Sequence, residues 1–130
     1  MPKSHKVQLW FAEARDDLIA AQAMLELKKT LPKISAFHSQ QCVEKAIKGF
    51  LNFNKKRITK THNLMALSHK VMEIDPSLKE LLTNCSLLND YAVSVRYPDA
   101  ATRINVSDFM AEEAVQLAKK ILEALSQKVN

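Results

Sequence analysis

The sequence holds one glycine and four prolines in 130 residues. Two-residue hairpin turns need backbone at positive φ, which glycine adopts most readily. A fold rich in hairpins therefore lacks its turn chemistry. A glycine-rich phosphate loop is excluded as well. No run of 18 apolar residues occurs, so no membrane-spanning helix is expected. The start, Met1 to Lys6, is polar and unlike a secretory leader, which makes a cytoplasmic protein the expectation. Only two cysteines are present, Cys42 and Cys85. Both fall on apolar helix faces, where small buried thiols are expected.

What the chain has instead is Ala, Leu, Lys, Glu and Gln, all strong helix formers. The hydrophobic fraction of 47% is that of a globular protein. At this length folding buries roughly two-thirds of the unfolded chain's surface, enough for one core. The expectation is all-α: an antiparallel up-and-down bundle of four long helices plus one short helix, in a single domain over residues 1–130.

Periodicity places the helices. Val7, Trp10, Phe11, Ala14, Leu18, Ala21 and Leu25 share one face of a helix over 4–28, with Ser4 as cap. A second helix runs from about Ile34 to Phe53. Thr61 opens a shorter helix carrying Leu64, Leu67 and Val71. Asp75 followed by Pro76 starts a fourth, with Leu78, Leu82, Cys85, Leu88 and Val95 inward, and Pro98 ends it. Ser107 or Asp108 caps the last, whose inward residues include Ala114, Ala118, Ile121 and Leu125. Gly49 lies mid-helix, where glycine costs about 1 kcal/mol relative to alanine. A close approach of another helix is the reason expected for it.

Charge is uneven. Residues 28–60 hold nine Lys or Arg and one acid, Glu44, a net +8; the remainder sums to −3. Such a footprint favours anionic partners. On the second helix, His38, Gln41, Lys45, Lys48 and Asn52 form a polar stripe about 80° wide, opposite the apolar face. The stripe is either ordinary solvated surface or the place where a partner sits.

Catalytic signals are few. His38, His62 and His69 match no metal-ligand spacing, and neither cysteine has a histidine at a recognisable distance. No metal and no cofactor are expected. The segment VRYPDAATR, 95–103, is more informative. Arg96 offers a fork for phosphate or carboxylate, and the ring of Tyr97 can stack on a base. Arg96, Tyr97 and Asp99 join the stripe as candidate ligand-binding residues.

The early tryptophan helix, FHSQQCVEKAIKGFL, THNL and RYPD together resemble the HEPN family (higher eukaryotes and prokaryotes nucleotide-binding domain) over about residues 8–125. The matching positions are Phe37, His38, Gln40, Gln41, Val43, Glu44, Lys45, Ala46, Lys48 and Leu51, then Thr61, His62 and Leu64, then Arg96, Tyr97, Pro98 and Asp99. The resemblance implies a helical bundle that dimerises, in a cytoplasmic prokaryotic protein. It also implies pairing with a minimal nucleotidyltransferase, often as toxin and antitoxin. Toxic members resemble metal-independent RNases that use an Arg, four to six residues, then His. Here those positions after Arg96 are Ala101, Thr102 and Arg103, and no histidine follows residue 69. The obvious proton-transfer group is missing.

Three readings follow. The first is a nucleotide- or RNA-phosphate-binding subunit that partners a nucleotidyltransferase. The second is an RNase toxin using Arg96, with Tyr97 or Asp99 as candidate base. The third is a non-catalytic assembly protein. If helices strictly alternate in direction, the basic loop 54–60 and the Arg96 turn share one end of the bundle, with His38 at the other. The stripe of the second helix is then expected to border a two-fold homodimer interface.

Overall fold

The computed structural model describes residues 4–58, 60–96 and 105–130, with residues 92–96 described by backbone alone. Every regular element among the described residues is helical: α1 His5–Glu26, α2 Pro32–Phe53, α3 Leu64–Ile74, α4 Lys79–Leu82, α5 Ser86–Arg96 and α6 Asp108–Lys128. The caps follow from local chemistry. Ser4 accepts the Val7 N–H at 3.2 Å, and Ser107 accepts that of Met110 at 3.1 Å. α3 opens on Asn63 rather than Thr61: the Asn63 side chain accepts from Met65 and Ala66, and Thr61 braces the Asn63 N–H.

The fourth helix is not continuous. Asp75 caps it through Ser77, but Pro76–Leu78 is a 3₁₀ turn, and Thr83–Cys85 is another between α4 and α5. Thr83, Asn84, Cys85 and Ser86 are weak helix formers in a row. The Thr83 hydroxyl donates to the Lys79 carbonyl at 2.6 Å, a back-bond that bends helices.

Helix direction also departs from strict alternation. The ten-residue connection after α2 doubles back, setting His62 beside Glu44 in the middle of α2. From there α3 runs the same way as α2, and Lys128 at the end of α6 pairs with Asp75 at the end of α3. Thr30, between α1 and α2, donates to Asp108 at 2.8 Å, so α6 starts where α2 starts. α5 descends α6 towards that start: Asn84 lies by Leu117 and Lys120, and Tyr91 by Glu113. The end of α5, Arg96, is therefore at the α2-start end. The basic loop is at the opposite end, which corrects the expected pairing of the two.

Ile47, Leu51, Leu64, Leu67, Leu82, Leu88, Ile121 and Leu125 are fully buried and form the centre of the core. Each contributes roughly 1.5–3 kcal/mol by leaving water. α2 is the axis of the fold, packed against α1, α3, α5 and α6, and 13 of its 22 residues are buried. Gly49 is where α1 comes closest: a Cβ there would stand 2.8 Å from Phe11 Cε2 and 3.0 Å from Trp10 Cβ. That close approach is the one its position in the sequence implied.

Candidate functional site

Surrounded on most sides, α2 has little room for a solvated stripe. Asp17 of α1 is 9% exposed and lies against it. Its carboxylate accepts from His38 Nδ1 at 2.9 Å and pairs with Lys45 Nζ at 2.8 Å. Burial opposes the charge on Lys45, but the Asp17 hydrogen bond and charge override it, and its pKa stands above the ordinary lysine value. One turn on, Lys48 is only 6% exposed. Its ammonium pairs with the buried Glu44 at 3.2 Å and stands 5.9 Å from the centroid of the Trp10 ring. Gln40 donates to Glu44 at 3.4 Å, and Gln41 to Gln40 at 2.7 Å.

The five stripe residues thus divide. His38, Lys45 and Lys48 are held by carboxylates inside the protein, and Gln41 is tied to Gln40. Asn52 is half-buried in the last turn, where its carbonyl accepts the Lys55 N–H. Arg96 ends α5. Tyr97 and Asp99 lie outside the described residues.

Three acidic or aromatic contributors, Asp17, Glu44 and Trp10, and one histidine, His62, were not candidates from sequence. A signal did exist for Asp17. It falls between Ala14 and Ala21 on the apolar face of α1, and an acid there implies a cationic partner across the seam. His62 Nδ1 reaches Glu44 at 3.0 and 3.1 Å, a contact 18 residues apart that periodicity does not reveal.

The lysines and arginine flanking α2 have no ion pair among the described residues: Lys28, Lys29 and Lys33 at its start, and Lys55, Lys56, Arg57 and Lys60 after its end. For α2 and its flanking residues, the unpaired positive charge thus lies at the two ends rather than along the helix.

Nucleophilic chemistry by thiolate is disfavoured. Burial, with the Asp17 charge second, pushes the Cys42 thiol up to about 12, and burial pushes Cys85 to about 11. No three His, Cys, Asp or Glu side chains converge as a metal site among the described residues. None of the described helices is long and apolar enough to cross a membrane.

A family model described as the HEPN domain matches residues 7–129. The chain belongs to the HEPN family. Among sequences it is 35% identical over 99 residues, 71% of this chain, to a Methanocaldococcus jannaschii protein named "Putative toxin MJ1304". The match spans 63% of that relative's own length. Two solved structures share the fold. The crystal structure of TT1696 from Thermus thermophilus superposes with a TM-score of 0.82 at 27% identity, covering 96% of this chain and 99% of that one. ST0689, described as an archaeal HEPN homologue, gives a TM-score of 0.75 at 25% identity, with 98% and 100% covered. The all-helical HEPN bundle implied by the sequence motifs is thus the fold observed.

Proposed function

We propose that this HEPN protein is the anion-binding subunit of a toxin–antitoxin-like pair, working with a minimal nucleotidyltransferase and binding a nucleotide or RNA phosphate without cutting it. The observation that carries the reading is the division of lysines along α2. Those in the middle are neutralised by Asp17 and Glu44, whereas those at the ends are not. Lys28, Lys29 and Lys33 flank the start of α2, the end of the bundle at which the α5 backbone finishes at Arg96, and lysine and arginine are the residue types that suit a phosphate. Tyr97 and Asp99 are carried as candidates from the sequence motif alone. In a homodimer, a two-fold axis would present two such ends to one ligand or partner.

The test is titration of a labelled oligoribonucleotide. Arg96→Ala is expected to weaken binding by about 1.5–3 kcal/mol, the size of a charge-assisted hydrogen bond. A steep fall of affinity with salt is expected alongside. Unchanged affinity in Arg96→Ala removes Arg96 from the site. Co-expression with a nucleotidyltransferase encoded beside it should yield a co-purifying complex, and separate elution of the two would overturn the pairing.

The toxin name of the Methanocaldococcus relative favours a second reading, an RNase in which Arg96 stabilises phosphate charge. Incubating the purified protein with labelled RNA and chelator separates the two. Intact RNA is the outcome expected from the missing histidine.

A further inference from the structure

A chain of net charge +5 also carries an acidic stretch. Residues 80–117 hold six acids, Glu80, Asp90, Asp99, Asp108, Glu112 and Glu113, and two cations, Arg96 and Arg103, a net −4. α5 and α6 run antiparallel here, with a groove between them. Its two adjoining cavities, about 550 and 220 Å³, share Asn84, Glu113 and Leu117. The walls follow from helical spacing. Asn84, Leu87, Leu88 and Tyr91 recur at i, i+3, i+4 and i+7 along α5 and the turn before it. Phe109, Glu113, Leu117 and Lys120 climb α6 opposite. From Phe109 to Lys120 is about 16 Å of helix, three turns.

The groove has an apolar lining and an acidic rim. Leu88 and Tyr91 are buried, whereas Leu87 is 61% and Phe109 68% exposed. Single exposed apolar residues are ordinary, but two lining one groove with Leu117 form a patch. Asp90, Glu112 and Glu113 have no ion pair among the described residues. Burial first, then the charges of Glu113 and Asp90, hold the Tyr91 phenol above the ordinary tyrosine value. The field of the acids therefore reaches the buried wall. A phosphate would be repelled there. What suits the groove has leucine-like anchors and positive charge, and a cleft between two helices is filled by a third. A second copy of this chain offers no such helix in its basic region. The lysines in the middle of α2 are held by Asp17 and Glu44, and most of the cations flanking it sit on connections.

We propose that the α5–α6 groove docks a cationic amphipathic helix of a partner protein. Its apolar side lies along Leu87, Leu117 and Phe109, and its lysines or arginines meet Asp90, Glu112 and Glu113. The site uses neither Arg96 nor the lysines flanking α2, so it is independent of the anion-binding reading.

The probe is a fluorescein-labelled, end-capped Leu/Lys peptide of helical period, about four turns long, titrated with the full chain. Its counterparts carry Glu for Lys, or Ser for Leu. The Leu/Lys peptide is expected to bind about tenfold tighter than either. Phe109→Ser should weaken it about tenfold by removing an anchor. Glu112→Lys/Glu113→Lys should reverse the preference in favour of the Leu/Glu peptide. Ile19→Ser removes a comparably exposed apolar residue from a separate groove between α1 and α6, and should change nothing. No measurable binding, equal affinity for the Leu/Lys and Leu/Glu peptides, or an equal loss in Ile19→Ser overturns the proposal. A dimer of the chain alone that Phe109→Ser dissociates would give the groove to a second copy and overturn it too. Should Phe109→Ser unfold, the charge-reversed variant decides, and an unreversed preference sinks the groove. Arg96→Ala is expected to leave peptide binding intact, so the groove and the anion site fail separately.

Discussion

Lys45 Nζ stands 2.8 Å from Asp17 Oδ2, across the seam between α2 and α1. The same carboxylate holds His38 at 2.9 Å. One acid thus fixes two residues that look like free surface in the sequence, seven positions apart on α2. The side chains are 11% exposed for Asp17 and 26% for Lys45, so the pair is only partly screened. Asp17→Ala would leave both partners facing an apolar seam. A loss of about 1–3 kcal/mol is expected in urea denaturation. A double-mutant cycle with Lys45→Ala should show coupling of about 1 kcal/mol. Additive losses would mean that the seam is held by packing alone.

Lys55 carries φ of 58°, the one positive φ among the described residues. It occupies the position after the α2 C-cap, with Lys55 N–H on the Asn52 carbonyl and Lys56 N–H on that of Leu51. This is the Schellman pairing, which favours glycine at that position. Left-handed backbone costs an L-residue roughly 1–2 kcal/mol, offset in part by the entropy that glycine loses on folding. Lys55→Gly should therefore stabilise by about 0.5–1 kcal/mol, and Lys55→Val should destabilise. Thermal melts of the two variants give the comparison. A lower Tm for Lys55→Gly would show that the lysine stem contributes more than its backbone costs.

The Asp75 carboxyl lies below the ordinary aspartate value, first because Lys128 donates to it and then because Ser77 does. Its folded-state pKa is depressed, so its contribution is present above the unfolded value and lost as pH falls through the folded one. The pair ties the end of α6 to the end of α3. Lys128→Met is expected to lower Tm slightly at neutral pH. The gap to wild type should close as the solution is acidified through the depressed folded-state pKa and the aspartate protonates. A gap that persists in acid would assign the effect to the lysine stem.

Much of the fold was legible because its signals are local. Ser4, Ser107 and the Asp75–Pro76 step are side chains acting within three residues of their own backbone. The apolar period of α1 and α6 needs only the helix repeat. Where partners are distant the reading weakened. Asp17 lies 21 residues before His38, and His62 lies 18 after Glu44, so the stripe on α2 looked solvated until the chain was folded around it. Direction failed for a related reason. A ten-residue connection is long enough to reverse, and nothing in NKKRITKTHN says that His62 will seek Glu44. The break between α4 and α5 had a local cause after all, in the run from Thr83 to Ser86. The leucines at Leu81, Leu82 and Leu88 masked it by keeping a helical period through the turn.

Gly49 tests the seam from its other side. On propensity alone, alanine in place of a mid-helix glycine should stabilise by about 1 kcal/mol. Here the new methyl would stand 2.8 Å from Phe11 Cε2, nearer than side-chain carbons tolerate, and 3.0 Å from Trp10 Cβ. Phe11 is 2% exposed and has no free space to swing into, and Trp10 Cβ moves only with the α1 backbone. α1 would have to shift outward, loosening Trp10 over Lys48. Overpacking of this kind costs about 1–3 kcal/mol. The expected net effect is thus a loss of about 1–2 kcal/mol in chemical denaturation, opposite in sign to the propensity. Gly49→Ser should be worse still, since it adds a hydroxyl to the same close contact. A stabilised Gly49→Ala would mean that α1 can retreat from α2 at little cost, and the tight seam inferred around Asp17 and Lys45 would have to be given up with it.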